Sequence, residues 1–207
     1  GDMDISILYS KPKDRPITKT ISVSIPRIKE VINAIERAIK KNNQIFWVCP
    51  LVKDSETLDL AAAETRAKYL EKYFPNKVSL VHGQMNAIEK EKSFSEFSNN
   101  EKPILVATTV IEVGIDIPNA TIMIIEHAER FGLAQLHQLR GRVGRGRKES
   151  ICILLYNQNI GNIARERLSV MRETNDGFII SEKDLKLRGA GEVLGTKQSG
   201  GQNFKVL

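Results

Sequence analysis

The chain has 207 residues with 41% hydrophobic and 27% charged residues, enough for one good core plus an appendage. Its net charge of +6 is a modest lean toward a polyanionic partner, and the acidic, low-hydrophobicity profile of a disordered chain is excluded. Two cysteines, Cys49 and Cys152, exclude a disulfide framework and lack metal-ligand spacing; no signal peptide is read, and the apolar runs are too short to span a membrane. Both cysteines sit in apolar runs and read as reduced, buried residues of a cytosolic protein.

Residues 1–19 read as an extended connector broken by Pro12 and Pro16. A strand follows at 20–25, and a helix at 27–41 with Ile28, Val31, Ile32, Ile35, Ala38 and Ile39 at helical spacing. The run 45–49 has the continuous apolar character of a buried strand. The pattern over 57–74 predicts a helix with Leu58, Ala61, Ala62, Tyr69, Leu70 and Tyr73 inward, ended by Pro75. Strands are expected at 78–82, 103–107, 120–125 and 151–156, with a helix over 86–97. Apolar strands that alternate with helices predict an α/β protein, a doubly wound parallel sheet covered on both faces. Residues 160–172 form a basic helix. Beyond Asn175-Asp-Gly177 the glycines Gly189, Gly191, Gly195, Gly200 and Gly201 predict a loop-bearing appendage. The expected units are a connector at 1–19, the α/β domain at 20–157, and a hairpin with its glycine-rich loop at 158–207.

Parallel α/β sheets bind ligands at the carboxyl ends of their strands, which directs attention to the strand-following loops. His82-Gly83-Gln84 is weak by itself: the histidine is more often structural, although Gly83 before a helix can offer backbone N–H groups to a phosphate. Thr108 and Thr109 follow a strand, where hydroxyls commonly cap a helix. Glu112, Gly114 and Asp116 lie in an apolar setting, so Asp116 needs a partner. The densest signal is the stretch 135–147, with Arg140, Arg142, Arg145 and Arg147 separated by glycines and no acidic residue from Phe131 to Lys148. Guanidinium forks suit phosphate oxygens, and glycines let the backbone come close to a ligand. On residue types alone the stretch fits two roles equally well. One is a basic loop on a nucleic-acid backbone; the other is a pair of arginines stabilising a phosphoryl transfer.

Gln138-Leu-Arg-Gly-Arg-Val-Gly-Arg145 resembles motif VI of superfamily 2 helicases, Q-R-x-G-R-x-G-R, with Leu139 where Arg is common. The loops after 78–82 and over 107–118 resemble motifs IVa and V in the same order. The resemblance implies a RecA-like second motor domain. It places Arg142 and Arg145 as arginine fingers, and Gly114, Asp116 and Gln138 at the nucleotide. His82, Gly83, Gln84, Thr108 and Thr109 would meet the nucleic-acid backbone. No Gly-x-x-x-x-Gly-Lys-[Ser/Thr] loop and no Asp-Glu-x-His or Asp-Glu-Ala-Asp box occurs, so the resemblance implies ATP with Mg²⁺ held by a first motor domain that is absent here. No metal site is expected in this chain.

The tail, Glu182-Lys-Asp-Leu-Lys-Leu-Arg-Gly-Ala-Gly through Ser199-Gly200, resembles the helical hairpin and loop shared by RecG and Mfd translocases. Both families use the Leu139 form of motif VI, and the ending Asn203-Phe-Lys-Val206 is closer to RecG. That resemblance implies translocation coupling through Arg188 and Gln198. Against a merely flexible end, Leu185, Leu187, Val193 and Leu194 give the tail apolar groups to pack. The resemblance further implies branched or duplex DNA as partner (stalled forks, Holliday junctions), and a first RecA-like domain and DNA-binding wedge domain in the same protein. A monomer of the bacterial cytosol is expected. The rivals are the Mfd counterpart, a non-catalytic nucleic-acid-binding module, and a nucleotide-sugar or flavin domain, the last disfavoured by the missing Gly-x-Gly-x-x-Gly.

Overall fold

The structure, a computed structural model, describes residues 17–51, 55–108 and 117–203, with side chains described throughout except at Glu56 and 192–203. Thr109, Gly114 and Asp116 lie outside the described residues, as does the side chain of Gln198.

Six parallel strands form one sheet in the order β1-β6-β5-β2-β4-β3. They are β1 Lys19–Ser24, β2 Gln44–Cys49, β3 Val78–Val81, β4 Ile104–Thr108, β5 Ala120–Glu126 and β6 Ile151–Tyr156. β2, β4 and β5 are buried at every residue, because helices cover both faces and leave no side for polar groups. The helices are α1 Ile28–Lys40, α2 Glu56–Tyr73, α3 Ala87–Ser98, α4 Leu133–Arg140, α5 Asn162–Glu173 and α6 Gly177–Asn203. On one face α1 and α2 pack over Ile45, Trp47, Val106, Ile124 and Ile153. On the other, α3, α4, α5 and α6 bury Phe97, Leu136, Met171 and Ile180 against Phe46, Leu105, Met123 and Leu154. Cys49 and Cys152 are free and buried, one on each face, and burial raises both thiols far above their ordinary range.

Local chemistry sets the helix ends. Ser55 Oγ accepts from Leu58 N, and Asn86 Oδ1 accepts from Glu89 N at 2.8 Å while its amide donates back to Glu89 Oε1. After α1, α2 and α3 the chain turns through Asn42, Asn76 and Asn100, each with φ near +60°. Asparagine tolerates this left-handed conformation because its short side chain bonds locally. Each turn delivers the chain to the amino end of the next strand.

Two expectations are corrected. The inward face of α2 is Asp59, Ala63, Ala67, Tyr69 and Leu70, continued by Phe74 just beyond it; Tyr69 and Leu70 are as expected, whereas Leu58 is 57% and Tyr73 44% exposed and Ala61 and Ala62 are exposed. The sequence pattern misleads there because α2 also turns Arg66 inward. Its Nε and Nη2 donate to Glu126 at 2.6 and 3.2 Å, and its guanidinium stacks on the rings of Trp47 and Tyr69. Trp47 Nε1 donates to the same carboxylate at 2.8 Å. Second, the expected glycine-rich loop is helical: α6 runs unbroken from Gly177 to Asn203, with Arg188 mid-helix. Glycine lowers helix stability by only ~1 kcal/mol per residue, and no proline occurs beyond Pro118 to stop the helix. Leu187 packs on the core, but Leu185 is 72% exposed.

Candidate functional site

α4 leaves the carboxyl edge of the sheet after β5 and runs back toward the amino edge. Its Leu133, Leu136 and Leu139 are buried, so the leucine at 139 is a core residue on the face turned from solvent. Residues 141–148 then form a turn at the amino edge, held by Val143, which is 2% exposed. Gly144 has φ +75°, and a Cβ there would overlap Thr18 Oγ1 and stand 2.7 Å from Ser150 Oγ. Those two hydroxyls bond each other at 2.8 Å just before β1 and β6. A Cβ on Gly146 would stand 2.5 Å from the carbonyl oxygen of Pro118, just before β5. The glycines therefore serve contacts within the chain itself, where the sequence suggested close approach to a ligand. Lys148 Nζ closes the turn on Asn43 Oδ1 at 2.8 Å.

On this pinned turn Arg145 and Arg147 are exposed and Arg142 is half-buried. Arg145 Nε donates to Gly141 O at 3.0 Å, which orients its fork. Gln138 is exposed on α4. Arg140 is different: only 3% exposed, it donates to Met171 O at 2.7 Å and Thr20 Oγ1 at 3.2 Å. Burial lowers its pKa from the ordinary guanidinium value. It also meets His137 Nδ1 at 3.2 Å; guanidinium has no acceptor, so Nδ1 accepts and the imidazole proton sits on Nε2. Against that Nε2 lies Gly177, the first residue of α6, where a Cβ would stand 3.0 Å away. The arginine-bearing helix is thus clamped to β1, α5 and the start of α6.

The carboxyl edge carries the other candidates. His82 follows β3 and is half-buried; its Nδ1 accepts from Gln84 N at 3.2 Å and its carbonyl from Met85 N, making a tight turn that leaves Gly83 and Gln84 exposed. Thr108 ends β4 and is 4% exposed, so its hydroxyl lies beneath the surface. Strands of five or six residues at ~3.3 Å rise set the two edges roughly 16–20 Å apart. The carboxyl-end rule therefore covers the His82 loop and not the arginine turn, which lies at the opposite edge. Thr108 lies at the carboxyl edge, and Ile117 precedes β5 at the amino edge.

A further cluster at the carboxyl edge escaped the sequence reading. His127 takes φ 50° directly after β5, and its Nδ1 meets Glu129 Oε1 at 3.2 Å. Burial works against the Glu129 charge, but hydrogen bonds from His127 and from backbone amides outweigh it and hold the carboxyl below its ordinary range. Arg167 donates to the carbonyls of Phe131 and Glu129. Only the polar run Glu126–Arg130 after an apolar strand could have signalled it. Among the described residues no cluster of His, Cys, Asp or Glu could hold a metal ion, and no helix is long and apolar enough to cross a membrane. The exposed guanidiniums suit phosphate oxygens; among the described residues, carboxylates for a divalent cation are not gathered near them.

Residues 26–147 match the helicase conserved C-terminal domain, and residues 174–206 match the C-terminal part of domain 3 of ATP-dependent DNA helicase RecG. Over its entire length the chain is 51% identical to an ATP-dependent DNA helicase RecG of Pasteurella multocida, of which it covers 30%. The structure of RecG bound to a three-way DNA junction aligns with 92% of this chain and 26% of that one, at TM-score 0.74 and 40% identity. Domain 2 of the DEAD-box helicase Mss116p bound to an RNA duplex aligns at TM-score 0.60 and 18% identity, over 83% and 69% of the two chains, which is a likeness of fold. The chain spans about a third of the length of the RecG relatives it matches.

Proposed function

The chain belongs to the family of helicase conserved C-terminal domains, and from that membership we propose that it is the second motor domain, with its translocation hairpin, of a RecG-type ATP-dependent DNA helicase that remodels branched DNA. The observation that carries this reading is the separation of the two candidate surfaces across one sheet. Arg142 and Arg145 stand on a sterically pinned turn at the amino edge, and the His82–Gln84 loop stands at the carboxyl edge. ATP would be held between the amino edge and a first RecA-like domain, whose phosphate loop and acidic residues supply the Mg²⁺ site. There Arg142 and Arg145 would take up the charge that develops on the transferred phosphoryl group, Gln138 would border the site, and Gly114 with Asp116 would meet the nucleotide. The carboxyl edge, with Thr108 and Thr109, would track the DNA backbone.

The division of the chain follows: connector 1–19, RecA-like unit 20–157, hairpin 158–207. A wedge domain elsewhere in the protein would split the DNA arms, and the whole would act as a monomer in the bacterial cytosol. The match of residues 174–206 to RecG favours this reading over the Mfd counterpart.

Coupling between ATP turnover and movement runs through the clamp of α4 on α5 and α6, with Arg188 and Gln198 on α6 as the residues that act on DNA. Arg188 Nη2 meets Asp184 Oδ2 at 3.2 Å on the same helix, and Arg188 is 66% exposed. Such a surface pair stabilises by ~0.3–0.5 kcal/mol, so Arg188→Ala should fold normally. In the intact protein, ATP-dependent unwinding of forked DNA is expected, and Arg188→Ala or Gln198→Ala should abolish it while DNA-stimulated ATP hydrolysis largely survives. If unwinding and hydrolysis fall together, the hairpin is structural; if the wild type does not unwind forks at all, the helicase reading is wrong.

A further inference from the structure

Helix α5 is basic, and two of its arginines belong to none of the surfaces above. Arg167 turns inward to the carbonyls of Phe131 and Glu129. Arg165 and Arg172 remain exposed, and with Ser169 between them they occupy positions i, i+4 and i+7, one stripe along the helix. Opposite lies β1. Its alternation sends Ile21 and Val23 to the face of α1 and α2, and therefore Thr20, Ser22 and Ser24 to the side of α5. Arg140 occupies Thr20, and Arg172 Nη1 reaches Ser22 Oγ at 2.8 Å. Between helix and strand runs an open groove of about 490 Å³, lined by Ser22, Ser24, Gln158, Arg165, Ser169 and Arg172. Glu166 is in its lining, and the Ser169 hydroxyl donates to Glu173 Oε1 at 2.9 Å at its border. Among the described residues β1 is the edge strand, and no neighbouring strand closes the groove.

We infer that this groove takes the phosphodiester backbone of the DNA, extending the contact surface along the carboxyl edge to the far side of the sheet; the inference rests on the helicase reading above. Guanidiniums, hydroxyls and a carboxamide are the side-chain groups that contact phosphate oxygens, and the lining offers them beside the apolar side chains of Ile160 and Leu168 and the ring of Tyr156. The spacing fits. Seven helical positions separate Arg165 from Arg172, a rise of roughly 10 Å, close to the axial length of three base pairs at ~3.4 Å each. The groove opens at Ser24 and Gln158, beside the carboxyl ends of β1 and β6. From there to β3 and the His82 loop the sheet counts five strand spacings of ~4.8 Å, roughly 24 Å, or about seven base pairs. One duplex arm can therefore lie along the whole edge.

The test is equilibrium binding of forked DNA by the intact protein between about 50 and 200 mM salt. Each phosphate contact contributes about −0.9 to the slope of log K against log salt, so Arg165→Ala with Arg172→Ala should make the slope shallower by roughly 1.8. Affinity should fall alike for all DNA sequences. Arg172 also ties α5 to β1, so Arg165→Ala alone serves as the second variant, with an expected change of about 0.9, and Arg165→Lys should keep the slope. Removing two cations from α1 on the opposite face, Arg37→Ala with Lys40→Ala, should leave it unchanged. A wild-type slope retained in Arg165→Ala and in the double variant overturns the inference. A wild type with no salt-dependent DNA binding overturns the helicase reading itself, and the groove with it.

Discussion

Arg145→Ala in the intact protein is expected to lower kcat for ATP by about 10³–10⁵, and Arg142→Ala to do the same. Each decade is 1.36 kcal/mol of barrier, so either guanidinium is assigned about 4–7 kcal/mol of transition-state stabilisation. That demand is met only by a donor fork held in place before reaction begins. The turn provides this: Val143 sits in the core, Gly144 lies on the Thr18–Ser150 bridge, Gly146 lies on Pro118, and Arg145 Nε is fixed to Gly141 O. Arg145→Lys should rescue poorly, because a point charge on a flexible stem does not reproduce the planar fork. The measurement is steady-state ATP turnover at saturating DNA. Near-normal turnover by Arg145→Lys would make Arg145 a positioning charge and remove it from the chemistry.

The second large effect concerns stability. Glu126→Ala is expected to cost about 3–5 kcal/mol, read by urea or thermal unfolding. Glu126 ends the central strand β5 with its side chain 11% exposed, and it receives Arg66, 17% exposed, together with the indole N–H of Trp47. Removing the carboxylate leaves a guanidinium confined between two aromatic rings and an indole donor without an acceptor. Glu126→Gln keeps an acceptor and should be milder. Replacing both partners, Arg66→Leu with Glu126→Leu, should cost less than the sum of the single changes, since no lone charge remains. A loss below about 1 kcal/mol for Glu126→Ala would place the pair with ordinary surface ion pairs.

This network shows where the sequence was legible and where it was not. Continuous apolar runs located all of β2, β4, β5 and β6 within a residue or two, because a strand covered on both faces has to be apolar at every position. α2 was placed correctly and Tyr69 and Leu70 do face inward, but Leu58, Ala61, Ala62 and Tyr73 do not, since one of its inward residues is a charged arginine whose partner lies 60 positions away. Arg140 was grouped with the ligand-facing arginines, yet it is buried; its partners Thr20 and Met171 come from β1 and α5, and no spacing in the sequence marks them. The tail glycines read as a loop, but nothing in the sequence around them stops a helix, and α6 continues through them. Motif order was the most informative signal for the site. The edge of the sheet on which each motif falls depended on the path of α4, and that required the fold.

The most direct test compares DNA-stimulated ATP turnover by the intact RecG-type protein and by the isolated 207-residue chain. A domain that contributes arginine fingers but no phosphate loop has only Gly114, Asp116, Gln138, Arg142 and Arg145 to offer a nucleotide. The isolated chain should therefore neither hydrolyse ATP nor bind it tightly, while the intact protein turns it over in response to branched DNA. Steady DNA-stimulated hydrolysis by the isolated chain would contradict its assignment as the arginine-bearing half of a two-domain motor.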